Sequence, residues 1–148
     1  MDLIYPDYNC FQRPFDNPLD VRIQIEALAC QELFCRAEAH EVELVWSFVH
    51  QDETIVCPFP DRKAEAFRLS SLCARRQGPV DSILQKAGKL SAEQNISGKD
   101  ALRLAAALEI RADIFLTCDD RLLHRAGRSQ LDIELLNPAD YIREERKP

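Results

Sequence analysis

Residues 97–120, SGKDALRLAAALEIRADIFLTCDD, do most to limit what this chain can fold into. Ser97, with Asp100 three positions on, has the spacing of a reciprocal helix cap. Ala101, Leu104, Ala105 and Leu108 then recur at i, i+3, i+4 and i+7, which predicts an amphipathic helix with its apolar stripe inward. The short run Ile114-Phe115-Leu116, closed by Thr117-Cys118-Asp119-Asp120, predicts a buried parallel strand. Asp119 and Asp120 would then stand just past a strand's carboxyl end, where open α/β sheets keep their ligand crevice. Two carboxylates about 4 Å apart repel by roughly 4 kcal/mol at an effective dielectric near 20. Acids gathered there must neutralise themselves or hold a cation.

The remaining chain fits that frame. Leu3-Ile4-Tyr5 predicts a first strand delivering Asp7, and Pro6, which has no N–H for a ladder, requires that strand to end or bulge beside it. Residues 11–18, with two prolines, predict a loop and a helix start. A helix is expected from residue 19 to about 40 with Val21, Ile25 and Leu28 on its inner face. Residues 43–47, rich in β-favouring side chains, predict a second strand, with Glu53 a turn or two beyond it. Asp61 is expected to cap a helix reaching about residue 76, and Gly88 to stop a short helix built on Val80, Ile83, Leu84 and Ala87. After Asp120 a helix carries Arg121, His124, Arg125 and Arg128 along one stripe, with Leu122, Leu123 and Ala126 for the core. A last strand is expected over residues 131–136, then Asn137-Pro138 and a frayed, charged tail over residues 143–148. Strands alternating with helices imply a mainly parallel sheet covered on both faces, in one domain spanning residues 1–148.

Composition excludes some classes. With 148 residues and 46% hydrophobic content the chain can bury a real core, and no apolar run approaches the roughly 18 residues that span a bilayer. The first residues carry no basic segment before an apolar one, so a soluble, cytoplasmic protein without a membrane role is expected. The net charge of −6 argues against a generally nucleic-acid-binding surface, while leaving room for a local basic stripe. The six cysteines, Cys10, Cys30, Cys35, Cys57, Cys73 and Cys118, form no CxxC pair and present no zinc-ligand spacing. They read as buried free thiols, and Cys30 and Cys35 lie about 140° apart on a helix turning roughly 100° per residue.

Asp7, Glu53, Asp100 and Asp119, each at a strand end or a helix start, are the acids in order. With them the chain resembles the PIN-domain nucleases, VapC-type ribonuclease toxins among them. Asp7-Tyr8-Asn9 is similar to the family's opening D-x-N and Ser47 with Glu53 to its S-x5-E segment. Lys99-Asp100-Ala101-Leu102 is similar to its third acid, and Thr117-Cys118-Asp119 to its T-x-D. The resemblance covers nearly the whole chain. It implies a three-layer α/β/α fold in which acids hold Mg²⁺ or Mn²⁺ and hydrolyse phosphodiester bonds, usually in RNA. It also implies an antitoxin protein as a partner, and it is compatible with a homodimer. Pro6 stands where an aliphatic residue is usual, and Arg103 where a His is frequent. Cys57-Pro58-Phe59-Pro60 is not a general family feature.

On this reading Asp7, Glu53, Asp100 and Asp119 are the ligands, and Asp120 supplements Asp119. Mg²⁺ needs only a few carboxylates because it keeps several waters. Asn9 and Thr117 are candidates for orienting the ligands. Arg121, Arg125 and Arg128, with His124, and the pair Arg68 and Arg75, are candidates for gripping phosphates. Tyr8, Phe11 and Phe15 either stack on bases or pack internally. Each acid also has a plainer role, with Asp100 completing a capping box, Asp119 capping a helix, Asp7 making an Asx turn and Glu53 a solvated charge. Two other functions share this architecture. One is a PIN-like binding or assembly module without catalysis. The other is a phospho-acceptor domain of the receiver type, which wants a paired acid after the first strand where Asp7 stands alone.

Overall fold

The computed structural model describes residues 1–144; of the tail expected to fray over residues 143–148, Arg143 instead closes the last helix, and residues 145–148 lie outside the described residues. The strands are β1 (Leu3–Pro6), β2 (Glu43–Ser47), β3 (Arg75–Gln77), β4 (Ile114–Leu116) and β5 (Glu134–Leu136). The helices are α1 (Asn9–Gln12), α2 (Val21–Glu38), α3 (Phe48–Ile55), α4 (Pro60–Ser70), α5 (Asp81–Gln94), α6 (Gly98–Glu109), α7 (Asp120–Gly127) and α8 (Pro138–Arg143), with a 3₁₀ turn at Arg13–Phe15. All strand pairs are parallel, in the order β3-β2-β1-β4-β5. The chain leaves β1 for β2 on one side and returns to β4 on the other, so the strand order reverses at β1/β4. A ligand crevice forms at the carboxyl edge of such a reversal.

Alternation along the strands builds the layers. Ile4, Leu44, Trp46, Ile114 and Leu116 face one way and pack with Leu33 and Phe34 of α2, Leu69 of α4 and Tyr141 of α8. Tyr5, Val45 and Phe115 face the other way and pack with Ile83 and Leu90 of α5, Leu104 and Ala105 of α6 and Leu122 of α7. The result is the three-layer α/β/α arrangement expected from the alternating pattern. No helix among the described residues is long and apolar enough to cross a membrane.

Pro6 is accommodated as the last residue of β1. The β1/β2 ladder stops at Ile4↔Leu44, and the next residue on β1's other side, Asp7, donates its N–H to the Leu116 carbonyl at 2.7 Å. The side on which Pro6 lacks a donor is therefore unpaired, and its carbonyl is taken by His50 Nε2 at 2.6 Å. The other ring nitrogen, Nδ1, accepts the Ser47 N–H at 2.9 Å while the Ser47 hydroxyl caps α3. This assigns the Nε2–H tautomer, and burial holds His50 neutral by pushing its pKa from 6.5 down to about 4. Since the folded value lies below the unfolded one, the stabilisation is present above pH 6.5 and lost as pH falls through about 4. It amounts to about 3 kcal/mol at roughly 1.4 kcal/mol per pH unit. A His50→Gln variant is expected to lose that acid-limb dependence in urea unfolding, and about 1–3 kcal/mol at pH 7 from the unpaired groups left behind.

Several sequence expectations need correction. Val21, Ile25 and Leu28 lie on the outer face of α2, 67%, 53% and 66% exposed, while Glu26, Ala29, Cys30, Leu33, Phe34 and Ala37 face the core. Glu26 is buried by design of its partners, receiving Arg13 at 2.9 Å together with Arg22 and Asn137. Residues 9–15 are helical rather than looped, and Phe11 is a core residue, not a base-stacking one. Helix α4 starts at Pro60 without a side-chain cap from Asp61 and ends at Ser70, because the segment after it pairs with β2 as the edge strand β3. Gly88 does not stop α5, which packs along α6 and runs to Asn95 in the left-handed conformation. The last strand is only Glu134–Leu136, and Asn137 caps α8 instead of merely closing a strand.

Candidate active site

Three of the four sequence-predicted acids meet at the carboxyl edge of the sheet. Asp7 follows β1, Glu53 lies on α3, and Asp100 is in the first turn of α6. Arg103, one turn along α6 from Asp100, points among them. Its Nε lies 3.5 Å from Asp7 Oδ1, its Nη2 2.8 Å from Glu53 Oε1 and its Nη1 3.0 Å from Asp100 Oδ1. Spacing of three residues on one helix brings Asp100 and Arg103 onto the same face. The meeting with Asp7 and Glu53 is made only by the fold.

Asp7 is the most enclosed member, 3% exposed, and its orientation is fixed by three donors. Tyr8 N–H reaches Oδ1 at 2.8 Å, while Thr117 Oγ1 at 2.7 Å and Asn9 Nδ2 at 3.3 Å reach Oδ2. Asn9 Nδ2 also donates to Thr117 Oγ1 at 3.1 Å, and Asn9 Oδ1 accepts the Cys118 N–H at 3.2 Å, so the loops after β1 and β4 are stitched together. Asn9 and Thr117 thus hold the Asp7 carboxylate in one orientation. Burial raises the Asp7 pKa from 3.8 to about 6, outweighing Arg103 and the Thr117 and Tyr8 hydrogen bonds, which lower it.

Asp119 and Asp120 are placed differently. Asp119 is the N-cap of α7, its Oδ1 accepting the N–H groups of Arg121 and Leu122 at 3.0 and 3.3 Å. Its backbone N–H donates to Thr117 Oγ1 at 3.1 Å, which joins its loop to the Asp7 network, but its carboxylate does not pair with Arg103. Asp120 forms an exposed ion pair with Arg22. The anticipated capping box of α6 is not formed either. Ser97 Oγ donates to Asp100 Oδ2 at 3.0 Å, side chain to side chain, and no cap bond to the backbone is made.

The basic stripe is on the surface. Arg121, His124, Arg125 and Arg128 line a shallow hollow with Glu93, Asn95 and Ser129. Of the second arginine pair, Arg68 is bound by Glu65, and Arg75 lies 3.9 Å from Glu43 on another element. Phe15 is covered by the Arg62 guanidinium, and Tyr8 hydrogen-bonds Thr54 at 2.9 Å.

Arg103, known from the sequence only as a departure from the family pattern, pairs with all three acids. Three carboxylates and one guanidinium leave a net charge of −2 on the cluster. The donors are all oxygens, which suits a hard divalent cation, and such an ion in place of the guanidinium would bring the three carboxylates to −1. Arg103 touches all three acids, and its side chain is 18% exposed.

The sequence matches no protein-family model and no curated protein. Solved structures match its fold. FitAcB from Neisseria gonorrhoeae gives a TM-score of 0.60 at 16% identity over 91% of this chain and 97% of that chain. VapBC-1 from nontypeable Haemophilus influenzae gives 0.57 at 16% identity, covering 92% and 98%. VapBC2 from Rickettsia felis, bound to a DNA fragment from their promoter, gives 0.57 at 12% identity, covering 91% and 98%. At these identities the likeness is one of fold, and the fold is PIN-like.

Proposed function

We propose that this chain is a divalent-metal-dependent endoribonuclease that hydrolyses phosphodiester bonds in single-stranded RNA. The observation that carries the reading is the convergence of Asp7, Glu53 and Asp100, from three separate elements, where the strand order reverses. These three would hold Mg²⁺ or Mn²⁺, and Asp119 would join them through its second carboxylate oxygen. When bound, the ion makes a water nucleophilic near neutral pH and stabilises charge on the leaving oxygen. Asn9 and Thr117 keep the Asp7 carboxylate turned inward. Arg103 partly offsets the charge of the acids before loading, and once displaced its guanidinium is available to a phosphate oxygen. Asp120, engaged by Arg22, stays outside the set.

Arg121, Arg125 and Arg128 would take RNA phosphates along α7. Changing all three to Gln is expected to raise KM for a single-stranded RNA about 10-fold or more with kcat little changed. The slope of log affinity against log salt should fall by about 2. An unchanged salt slope would remove these residues from the RNA path.

The proposal extends to a partner protein. The structures of similar fold were solved as VapBC and FitAB-type complexes, and this chain exposes an apolar stripe, Val21, Ile25 and Leu28, along α2. An antitoxin that silences the nuclease is the partner proposed, and gel filtration of the isolated chain would separate this from a homodimer.

One observation favours a second reading. Arg103 already satisfies the acids, as it would in a PIN-like module kept for binding or assembly alone. The readings divide on cleavage of a labelled single-stranded RNA with Mn²⁺ and with EDTA. Cleavage that EDTA stops supports the nuclease, absent cleavage supports the module, and cleavage indifferent to metal would contradict both.

A further inference from the structure

We propose that Cys10, Cys30 and Cys118 form a three-thiolate site for a thiophilic divalent cation, Zn²⁺ by preference, separate from the carboxylate cluster. Their sulfur atoms all lie within 4.8 Å of one another. Among the described residues this is the sole group of three His, Cys, Asp or Glu side chains whose ligand atoms come so close. They arrive from three parts of the chain, namely α1, the middle of α2 and the loop after β4. All three are buried, and Cys118 alone retains a trace of exposure.

The geometry is near that of a metal site. With Zn–S bonds of about 2.3 Å, sulfurs around one ion stand roughly 3.8–4.0 Å apart. A contraction of at most about 1 Å would therefore close the trio on an ion, within what side-chain rotation supplies. Soft sulfur donors select Zn²⁺, whereas the all-oxygen cluster suits Mg²⁺ or Mn²⁺, so the two centres sort different ions. Charge also favours a divalent ion. Three thiolates with Zn²⁺ carry −1, and the Arg13 guanidinium, which bridges Asp16 and Glu26, adds a favourable positive charge near Cys118. A monovalent ion would leave −2 in a buried place. On loading, three S–H bonds are replaced by three metal–sulfur bonds, the protons pass to solvent, and no oxidation state changes.

The site would act on its neighbours. Cys10 Sγ lies 3.7 Å from Asn9 Oδ1 and 3.6 Å from the Leu116 carbonyl, and Cys118 N–H binds that same Asn9 oxygen. Fixing the sulfurs would stiffen the two loops that carry Asp7 and Thr117 onto α2.

The test uses the whole chain, stripped of metal with EDTA and kept reduced, titrated with Zn²⁺ and separately with Co²⁺. Expected are one Zn²⁺ per chain with Kd below about 1 µM, release of protons on binding, and a thiolate-to-cobalt charge-transfer band in the near ultraviolet. The exposed Cys35→Ser variant should keep the band and Cys30→Ser should lose it. Should Cys30→Ser fail to fold, the wild-type band and proton release decide alone. Co²⁺ binding without a charge-transfer band, or no Zn²⁺ binding at micromolar concentration, would overturn the proposal. Because the band reports sulfur ligands, it stands or falls independently of whether the carboxylates make a nuclease.

Discussion

Asp7→Asn is expected to remove metal-dependent RNA cleavage and, in the same molecule, to stabilise the metal-free fold above pH 6. Losing a direct ligand should cost more than the 10–100-fold typical of losing an outer partner of a metal, so cleavage should fall at least about 100-fold. The stability gain follows from the buried carboxyl, whose pKa is raised from 3.8 to about 6. Such a group stabilises fully below pH 3.8 and loses that contribution as pH rises through about 6, an amount near 3 kcal/mol. Asn carries no charge to bury, but its amide cannot accept from Tyr8, Thr117 and Asn9 all at once, at a cost of about 1 kcal/mol. In EDTA the net gain at pH 8 should be about 1–2 kcal/mol by urea unfolding.

The pH profile of that variant is equally specific. In the wild type the contributions of Asp7 and His50 run in opposite directions over pH 4–6.5 and nearly cancel. In Asp7→Asn only the His50 contribution remains, so stability should climb by about 3 kcal/mol from pH 4 to 6.5. A variant less stable than wild type at pH 8, with a flat profile, would show that Asp7 is not held at a cost.

Arg103→Met is expected to produce the other large effect. Removing the guanidinium leaves Asp7, Glu53 and Asp100 together without a cation. Breaking a buried ion pair from one side costs about 3–5 kcal/mol, and the partial exposure of Glu53 and Asp100 brings the expectation here to about 2–3 kcal/mol in EDTA. Mn²⁺ should restore most of it, since an ion at 100 times its Kd adds about 2.7 kcal/mol. The variant should also bind Mn²⁺ more tightly than wild type, because no side chain must first withdraw. If Mn²⁺ leaves the variant as unstable as EDTA does, the cluster is an ion-pair network and nothing more.

Much of the fold was legible because its signals are local. The helix–strand unit around Ala101–Leu116 and the strand at Glu43–Ser47 follow from periodicity and β-favouring residues. The edge strand Arg75–Gln77 escaped notice because two arginines and a glutamine carry no apolar pattern, and only pairing with β2 makes them a strand. The face of α2 was inverted for a related reason. Its inner stripe uses Glu26 and the small residues Ala29 and Cys30, while the larger aliphatics Val21, Ile25 and Leu28 are left outside.

The site was legible as a set of acids but not as an arrangement. Sequence order nominated Asp7, Glu53 and Asp100 and singled out Arg103 as a departure from the family pattern. It could not show that the departure places a cation among the acids, since that contact joins α6 to β1 and α3. The plainer role of Asp119 as a helix cap was also on offer, and the structure has it. Ser47 and His50 form a cap in which His takes the part usually given to Glu or Gln, so the usual capping pattern is absent from the sequence there. The cysteine trio has no sequence spacing at all.

The most direct test of the central claim, that a divalent ion replaces the Arg103 guanidinium among the acids, is a crystal soaked in Mn²⁺ and measured for anomalous scattering. The account predicts a peak within about 2–2.5 Å of carboxylate oxygens from Asp7 and at least one of Glu53 and Asp100. Arg103 should be withdrawn from the cluster. An unbroken Arg103 network with no peak at saturating Mn²⁺ would contradict it.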